Sequence, residues 1–162
     1  ERCPLPIYLS GISMGAATVL MASGLPLPKN VRGIVADCGY TSPHAIWEHV
    51  ATDNLHLSYS EARRKTIDAI CEQRLKGESA NYSCEDALKE CKVPVLFVHG
   101  SDDRFVPVEM TYQNYKACAS EKRLLIVPGA GHGESYYLEP DNYEQAVLQF
   151  WKAFDRGGEV KS

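Results

Sequence analysis

Short apolar runs alternate along the chain with longer segments in which apolar residues recur at helical spacing. Four of the runs have the length and the bounding turn residues of buried strands: 7–9, 31–36, 95–98 and 124–127. Residues 14–23 are rich in Ala, Leu and Met and predict a helix that Gly24 and Pro26 terminate. Because helices separate the strands, the pattern predicts an α/β fold, a mostly parallel sheet with helices on both faces.

The last predicted helix has the clearest periodicity. Its apolar residues recur every three or four positions and form a single stripe, which should pack on the sheet. The stripe consists of Tyr143, Val147, Phe150, Trp151 and Phe154.

The long interval between the second and third strands, residues 39–92, predicts a helical insertion. Ser58 and Glu61 have capping-box spacing ahead of a helix that runs to about residue 75. The apolar face of that helix would consist of Ile67, Ile70, Cys71 and Leu75. Two interpretations stay open: a cap over a pocket, or an extra helix packed on the domain.

Composition narrows the class of protein. A chain of 162 residues favours a single domain over 1–162, and its net charge of −4, without any Lys/Arg run, argues against nucleic acid or a membrane surface as a partner. Residues 5–28 carry no charge, but prolines and glycines interrupt them, which favours a buried strand and helix over a membrane span. Six cysteines without a C-x-x-C pair indicate reduced thiols and a cytoplasmic location, although one or two disulfides are not excluded.

The segment Gly11-Ile12-Ser13-Met14-Gly15 matches the G-x-S-x-G pattern of a nucleophile elbow. Such an elbow presents a serine hydroxyl on a sharp turn between a strand and a helix. An apolar strand precedes Ser13 and a helix follows it, as the elbow requires. The start of that helix places the backbone N–H of Met14 where an oxyanion would form.

A serine hydroxyl needs a base, and the base needs an orienting group. Asp102 and Asp103 follow the third strand, and His132 follows the fourth, so topology brings them to one edge of a parallel sheet with Ser13. Asp37, at the end of the second strand, is a further candidate for the acid. His99 is interpreted as a structural residue that ties loops together.

Other polar and aromatic residues have less specific interpretations. The histidines of the insertion do not share a helical face at ligand spacing, so no metal site is predicted from His44, His49 and His56. Cys38 is interpreted as a small buried residue. Four aromatic residues are candidates for lining an acyl pocket or for plain packing: Tyr40, Trp47, Tyr136 and Tyr137.

Three segments, G-I-S-M-G, H-G-S-D-D-R-F-V-P and G-A-G-H-G-E-S-Y, together resemble the α/β-hydrolase superfamily, and within it bacterial esterase-like or peptidase-like hydrolases. The resemblance extends over residues 6–154. It implies Ser13 as nucleophile, His132 as base, Asp103 as acid and the Met14 N–H as an oxyanion donor. The implied reaction is acyl-enzyme hydrolysis of a small carboxylic ester, thioester or amide, with no cofactor and no metal.

The sequence differs from the superfamily at its N-terminal end. Members carry several strands and helices before the elbow, including a loop that supplies a second oxyanion N–H, whereas twelve residues precede Ser13 here. We therefore expect a carboxy-terminal portion of a hydrolase, in which a dimer partner or a missing N-terminal half covers the apolar edge at residues 7–9. The alternative is a catalytically inactive or incomplete hydrolase fragment that acts as a binding or scaffold domain.

Overall fold

A computed structural model describes residues 5–75 and 82–155 of the chain. Its centre is a sheet of four parallel strands in the order β1-β2-β3-β4. The strands are β1 (Ile7–Ile12), β2 (Val31–Asp37), β3 (Val95–Gly100) and β4 (Lys122–Val127). The predicted strands are all present, and β1 and β3 run further toward the site than the apolar runs indicated.

Seven α-helices and one short π-helical turn are described around the sheet. They are α1 (Met14–Ala22), α2 (Pro43–His49), the π-turn (Val50–Asn54), α3 (Glu61–Leu75), α4 (Cys84–Lys89), α5 (Val108–Ala117), α6 (Ser135–Leu138) and α7 (Pro140–Phe154). The apolar runs and helical spacings predicted α1, α3 and α7. The helices α2, α4 and α6 have seven, six and four residues and are too short for a visible period.

Helices cover both faces of the sheet. On one face, Ala17 and Leu20 of α1 and Leu88 of α4 pack with Ile34 and Phe97 of the central strands. On the other face, residues of α7 pack around Val35, Leu96 and Val98, with Phe150 fully buried among them. The alternation of side chains along β2 and β3 sends neighbouring residues into opposite cores, as expected for strands covered on both sides. The predicted α/β architecture is confirmed.

The central and the outer strands differ in burial. Every residue of β3 is buried and β2 is nearly so, whereas β1 and β4 are only partly buried. In the described part of the chain β1 pairs with β2 alone, and Ile7 and Ile12 are exposed. None of the described helices has the length and apolar character needed to cross a membrane.

The insertion differs in detail from the sequence prediction. Ser60, and not Ser58, caps α3, since its Oγ accepts the N–H of Arg63 at 3.4 Å and its carbonyl accepts the N–H of Arg64. The predicted apolar face is not a buried stripe, because Ile70 is 49% exposed while Ile67 is half-buried. The side chain of Leu75 lies outside the described part of the structure.

Candidate active site

Ser13 stands on a strained turn between β1 and α1. Its φ of 55° and ψ of −116° are unusual for a residue with a side chain. Two backbone hydrogen bonds hold the turn: Ser13 N–H donates to the carbonyl of Asp37 at 2.8 Å, and the Ser13 carbonyl accepts from Ala17 at 3.0 Å. Strain of this kind persists where the surrounding structure stabilises it, and a nucleophile elbow is such a place.

The two glycines of the elbow have different roles. A Cβ added at Gly11 would lie 2.2 Å from the carbonyl carbon of Gly15 and 2.6 Å from the N of Ala16. Strand and helix backbones therefore cross at Gly11 with no room for a side chain. A Cβ at Gly15 would meet nothing within 4 Å, so the requirement for a small residue is strict at only one of the two flanking positions.

The structure brings together the three residues that the resemblance singled out. His132 Nε2 lies 2.9 Å from Ser13 Oγ, and His132 Nδ1 lies 2.7 Å from Asp103 Oδ2. Both distances are those of hydrogen bonds, although 119 residues separate the histidine from the serine. The order hydroxyl, imidazole, carboxylate is the arrangement of a catalytic triad.

The loop that carries His132 packs closely on the acid loop. The Asp102 N–H donates to the carbonyl of Ala130 at 3.0 Å, and a Cβ at Gly100 would lie 2.2 Å from the same oxygen. Gly133 has a φ of 70°, a conformation that glycine adopts without strain. The glycines on both loops therefore permit the close approach that sets the position of the imidazole.

The Asp103 carboxylate is fully buried and accepts four hydrogen bonds. Oδ1 accepts the backbone N–H groups of Phe105 and Val106 at 2.9 Å each, and Oδ2 accepts from the His132 and His99 rings at 2.7 and 3.1 Å. Burial alone would raise the pKa of Asp103, but the hydrogen bonds from His99, Val106 and His132 outweigh burial and lower it. Asp103 is therefore held as a carboxylate that orients His132.

His99 donates a hydrogen bond to the Asp103 carboxylate from the end of β3. Its Nε2 lies within reach of two acceptors, Asp103 Oδ2 at 3.1 Å and the Val106 carbonyl at 2.9 Å, so Nε2 carries the proton. Nδ1 can then accept the hydroxyl proton of Thr111, 2.7 Å away. His99 is completely buried. Sequence reasoning anticipated a residue that ties loops, but it did not identify the acid as the group that is tied.

The two rival acids occupy other environments. Asp102 is exposed and accepts a hydrogen bond from Ser101 Oγ. Asp37 is buried and accepts from Ser135 Oγ at 3.3 Å, and burial raises its pKa. Among the hydrogen bonds of the described residues, His132 Nδ1 bonds to Asp103 and to neither of these two.

Cys38 lies close to the site. Its thiol is buried, its φ is 46°, and Sγ lies within 4.8 Å of ligand atoms of both Asp103 and His132. Such a cluster is spaced for a metal ion, yet His132 Nδ1 and Asp103 Oδ2 already share a proton at 2.7 Å. Burial and the neighbouring Asp37 raise the pKa of the Cys38 thiol to about 12, which disfavours the thiolate that a metal would need. The sequence places Cys38 at the carboxyl end of β2, on the same edge of the sheet as the other site residues, but it does not indicate the direct approach to His132 and Asp103.

The backbone N–H of Met14 is available to a ligand. Met14 is the first residue of α1, and the first N–H groups of a helix have no acceptor within the helix. The positive end of the α1 dipole lies at the same place. The elbow therefore offers one preorganised donor beside the Ser13 hydroxyl.

A pocket of about 640 Å³ opens beside Ser13 and is walled largely by the insertion. Its lining, apart from Ser13 itself, is mostly apolar or aromatic: Met14, Tyr40, Ile46, Trp47, Val50, Ala51, Leu55, Tyr59, Arg63, Thr66, Ile67 and Phe105. Of the four aromatic residues considered from sequence, Tyr40 and Trp47 line it. Tyr136 lines a separate depression with Tyr143, and Tyr137 is 86% exposed.

Histidines of the insertion tie its parts together. His44 bonds through Nδ1 to the Tyr59 hydroxyl and through Nε2 to Asp68 Oδ1, both at 2.7 Å, and so joins α2 to the segment before α3 and to α3 itself. His49 Nε2 donates to the Arg104 carbonyl at 3.2 Å, which connects the insertion to the acid loop. These contacts account for the placement of two of the three histidines. His56 has a φ of 53° in the connecting loop.

The parallel sheet, the helices on both faces and the elbow at the carboxyl end of β1 define the fold as that of an α/β-hydrolase. The model of the prolyl oligopeptidase family matches residues 6–155, and the chain belongs to that family. Membership of this family places the chain in the hydrolase class.

Individual relatives are distant. The chain is 27% identical over 147 residues to the uncharacterised protein YqkD of Bacillus subtilis, a match that covers 89% of this chain and 47% of that protein. Among solved structures it superposes on acetyl xylan esterase 1 of Thermoanaerobacterium (TM-score 0.62, 19% identity, 93% of this chain and 47% of that one). It also superposes on Pyrococcus horikoshii acylaminoacyl peptidase (TM-score 0.66, 16% identity, 99% and 25%). The chain therefore spans about half the length of the curated relatives that it matches along its whole extent.

Proposed function

We propose that the protein is a serine hydrolase that cleaves a small carboxylic ester through an acyl-enzyme. The observation that carries the proposal is the continuous hydrogen-bonded line from Ser13 Oγ through both nitrogens of His132 to Asp103. A hydroxyl, an imidazole and a buried carboxylate in this order activate a serine without any cofactor.

The proposed reaction has two steps. His132 Nε2 takes the Ser13 proton as Oγ attacks the substrate carbonyl, and the Met14 N–H donates to the oxygen that becomes negative. His132 then protonates the leaving alcohol, and the acyl group stays on Oγ. In the second step His132 takes a proton from water, which attacks the acyl-enzyme, and returns that proton to Ser13 Oγ as the acyl–oxygen bond breaks and the acid leaves. Asp103 keeps the proton on Nδ1 and stabilises the imidazolium in both steps.

The apolar pocket supports an ester with a sizeable acyl group. Its volume falls within the range of pockets that bind small molecules, and Ser13 is one of its lining residues. We propose that the insertion acts as a cap, because its residues form most of the wall.

Labelling with a fluorophosphonate probe tests the nucleophile. The complete gene product should react covalently, and the label should map to Ser13. Ser13→Ala should abolish labelling, whereas Ser10→Ala, which changes a strand residue on the same segment, should not. A folded product that is not labelled would refute the serine-hydrolase proposal and favour the alternative of a binding domain.

The choice between ester and amide needs a separate comparison. A p-nitrophenyl ester and the p-nitroanilide of the same acid differ only in the bond that is cleaved. We expect the ester to be hydrolysed with the higher kcat/KM. A preference for the anilide would instead assign a peptidase-like activity.

Partner and location are proposals of the same kind. We propose that additional polypeptide or a second copy covers the free edge of β1, where Ile7 and Ile12 are exposed. A stable, monodisperse 18.0 kDa monomer of this chain would contradict that proposal. The proposed reducing, cytoplasmic location is compatible with the free thiols of the five cysteines in the described part of the chain.

A further inference from the structure

Among the described residues, one charged side chain lines the pocket beside Ser13. Most of the lining residues are aliphatic or aromatic, and the polar ones, apart from Arg63, are hydroxyl residues that are neutral at neutral pH. Arg63 lies in the first turn of α3, on the part of the wall that the insertion provides. Within the described part of the chain, a substrate that enters the pocket therefore meets an apolar surface and the positive charge of Arg63.

The guanidinium of Arg63 is oriented by a hydrogen bond, and no carboxylate of the described residues neutralises it. Its Nη1 donates to the carbonyl of Ser58 at 2.5 Å. A guanidinium has five N–H donors, so four remain for other acceptors. Six ion pairs occur among the described residues, and Arg63 belongs to none of them.

We infer that the acyl group of the substrate is an apolar chain that ends in a carboxylate, with the chain in the pocket and the carboxylate on Arg63. The inference rests on the proposed function, and it adds the substrate class: monoesters of dicarboxylic acids. Arginine suits this role, because its planar fork can bind both oxygens of a carboxylate.

The net charge of the chain helps to separate a local effect of Arg63 from long-range electrostatic attraction. The chain carries a net charge of −4, so its long-range field does not attract an anionic substrate. A preference for an anion that disappears on removal of the Arg63 charge therefore comes from the local cation. Because Arg63 is exposed, water screens the interaction, and we expect about a fivefold effect on kcat/KM.

The test compares two esters of equal length on the complete gene product. One is the p-nitrophenyl monoester of suberic acid, and the other is the same compound with its free carboxylate capped as a methyl ester. We expect the kcat/KM ratio of anionic to neutral ester to be about five at low salt and to fall toward one in concentrated salt. The adipic and sebacic monoesters show which chain length places the carboxylate best.

Variants assign the preference to a residue. Arg63→Gln should reduce the ratio to about one, and Arg63→Lys should retain part of it. Arg64→Gln is the matched control. Arg64 is the next residue of α3 and does not line the pocket, so this variant removes an equal charge outside it. Its ratio should equal that of the unmodified protein.

Two results would overturn the inference. One is a ratio of one or less in the unmodified protein, and the other is a ratio that survives in Arg63→Gln. In both cases the neutral ester is still hydrolysed, so the proposed function stands. Hydrolysis of neither ester, together with no fluorophosphonate labelling, would refute the proposed function and the inference with it.

Discussion

Replacement of Asp103 by Asn tests the proposed catalytic line most directly. The buried carboxylate accepts from two backbone N–H groups on one oxygen and from two imidazole rings on the other. Asparagine offers an acceptor on one side only. The backbone donors of Phe105 and Val106 cannot rotate away, so the amide oxygen should face them and the NH₂ group should face His132.

The consequence for catalysis follows from the tautomer. An NH₂ group beside His132 Nδ1 needs an acceptor there, which moves the ring proton to Nε2. A protonated Nε2 cannot take the proton of Ser13. The equivalent change in a serine protease lowers kcat by about 10⁴-fold, and we expect a loss of that order.

The consequence for stability is smaller and depends on pH. The loss of buried acceptors should lower the free energy of unfolding by about 2 kcal/mol at neutral pH. The pKa of Asp103 is lower in the folded protein than its ordinary value of 3.8, so its carboxylate stabilises the fold above that value, and this contribution is lost as pH falls through the folded-state pKa. The difference in stability between Asp103→Asn and the unmodified protein should therefore shrink in acid.

Ester hydrolysis and chemical unfolding, both followed against pH, measure the two effects. Asp102→Asn is the matched control, since Asp102 is the exposed neighbour, and it should leave both quantities nearly unchanged. Asp37→Asn examines the buried rival. Activity of Asp103→Asn within tenfold of the unmodified protein, with a large loss in Asp37→Asn, would refute the reasoning.

Three further predictions concern the elbow, the support of the acid and the cap. Gly11→Ala should abolish activity and lower the free energy of unfolding by about 3 kcal/mol or more, since its Cβ would overlap backbone, whereas Gly15→Ala should fold normally by circular dichroism and thermal melting. Thr111→Val removes the hydroxyl that donates to His99 Nδ1 and should lower the free energy of unfolding by about 1 kcal/mol. We also expect a several-fold fall in kcat with little change in KM. An unchanged kcat would show that His99 does not need this hydrogen bond. Asp68→Ala removes the hydrogen bond between α3 and His44 of α2 and should raise KM for long-chain esters more than for an acetate ester. Glu61→Ala, which breaks an exposed ion pair on α3, should leave both KM values unchanged. Equal changes in KM for the two esters in Asp68→Ala would contradict a capping role.

Much of the fold was predictable from sequence, because the burial of a strand or helix determines which of its positions are apolar. The central strands are covered on both faces, so residues 34–36 of β2 and 95–98 of β3 appear as continuous apolar runs, and the one-sided α7 appears as a stripe. The helix α3 was predicted as well, but its cap and apolar face were not. A helix that lies over a pocket and not on the core buries only part of its surface, so its pattern is weak.

The sequence by itself determined which residues could perform the chemistry. The elbow pattern and the order of Ser13, Asp103 and His132 depend on local turns and on the rule that parallel strands deliver their carboxyl ends to one edge. Only the tertiary structure decided how those groups are held. The hydrogen bond from His132 to Asp103, the approach of Cys38 Sγ to both of them and the position of Arg63 in the pocket wall arise from contacts between segments that are distant along the chain. Contacts of that kind have no period and no local spacing, so they are set by how the loops pack in space.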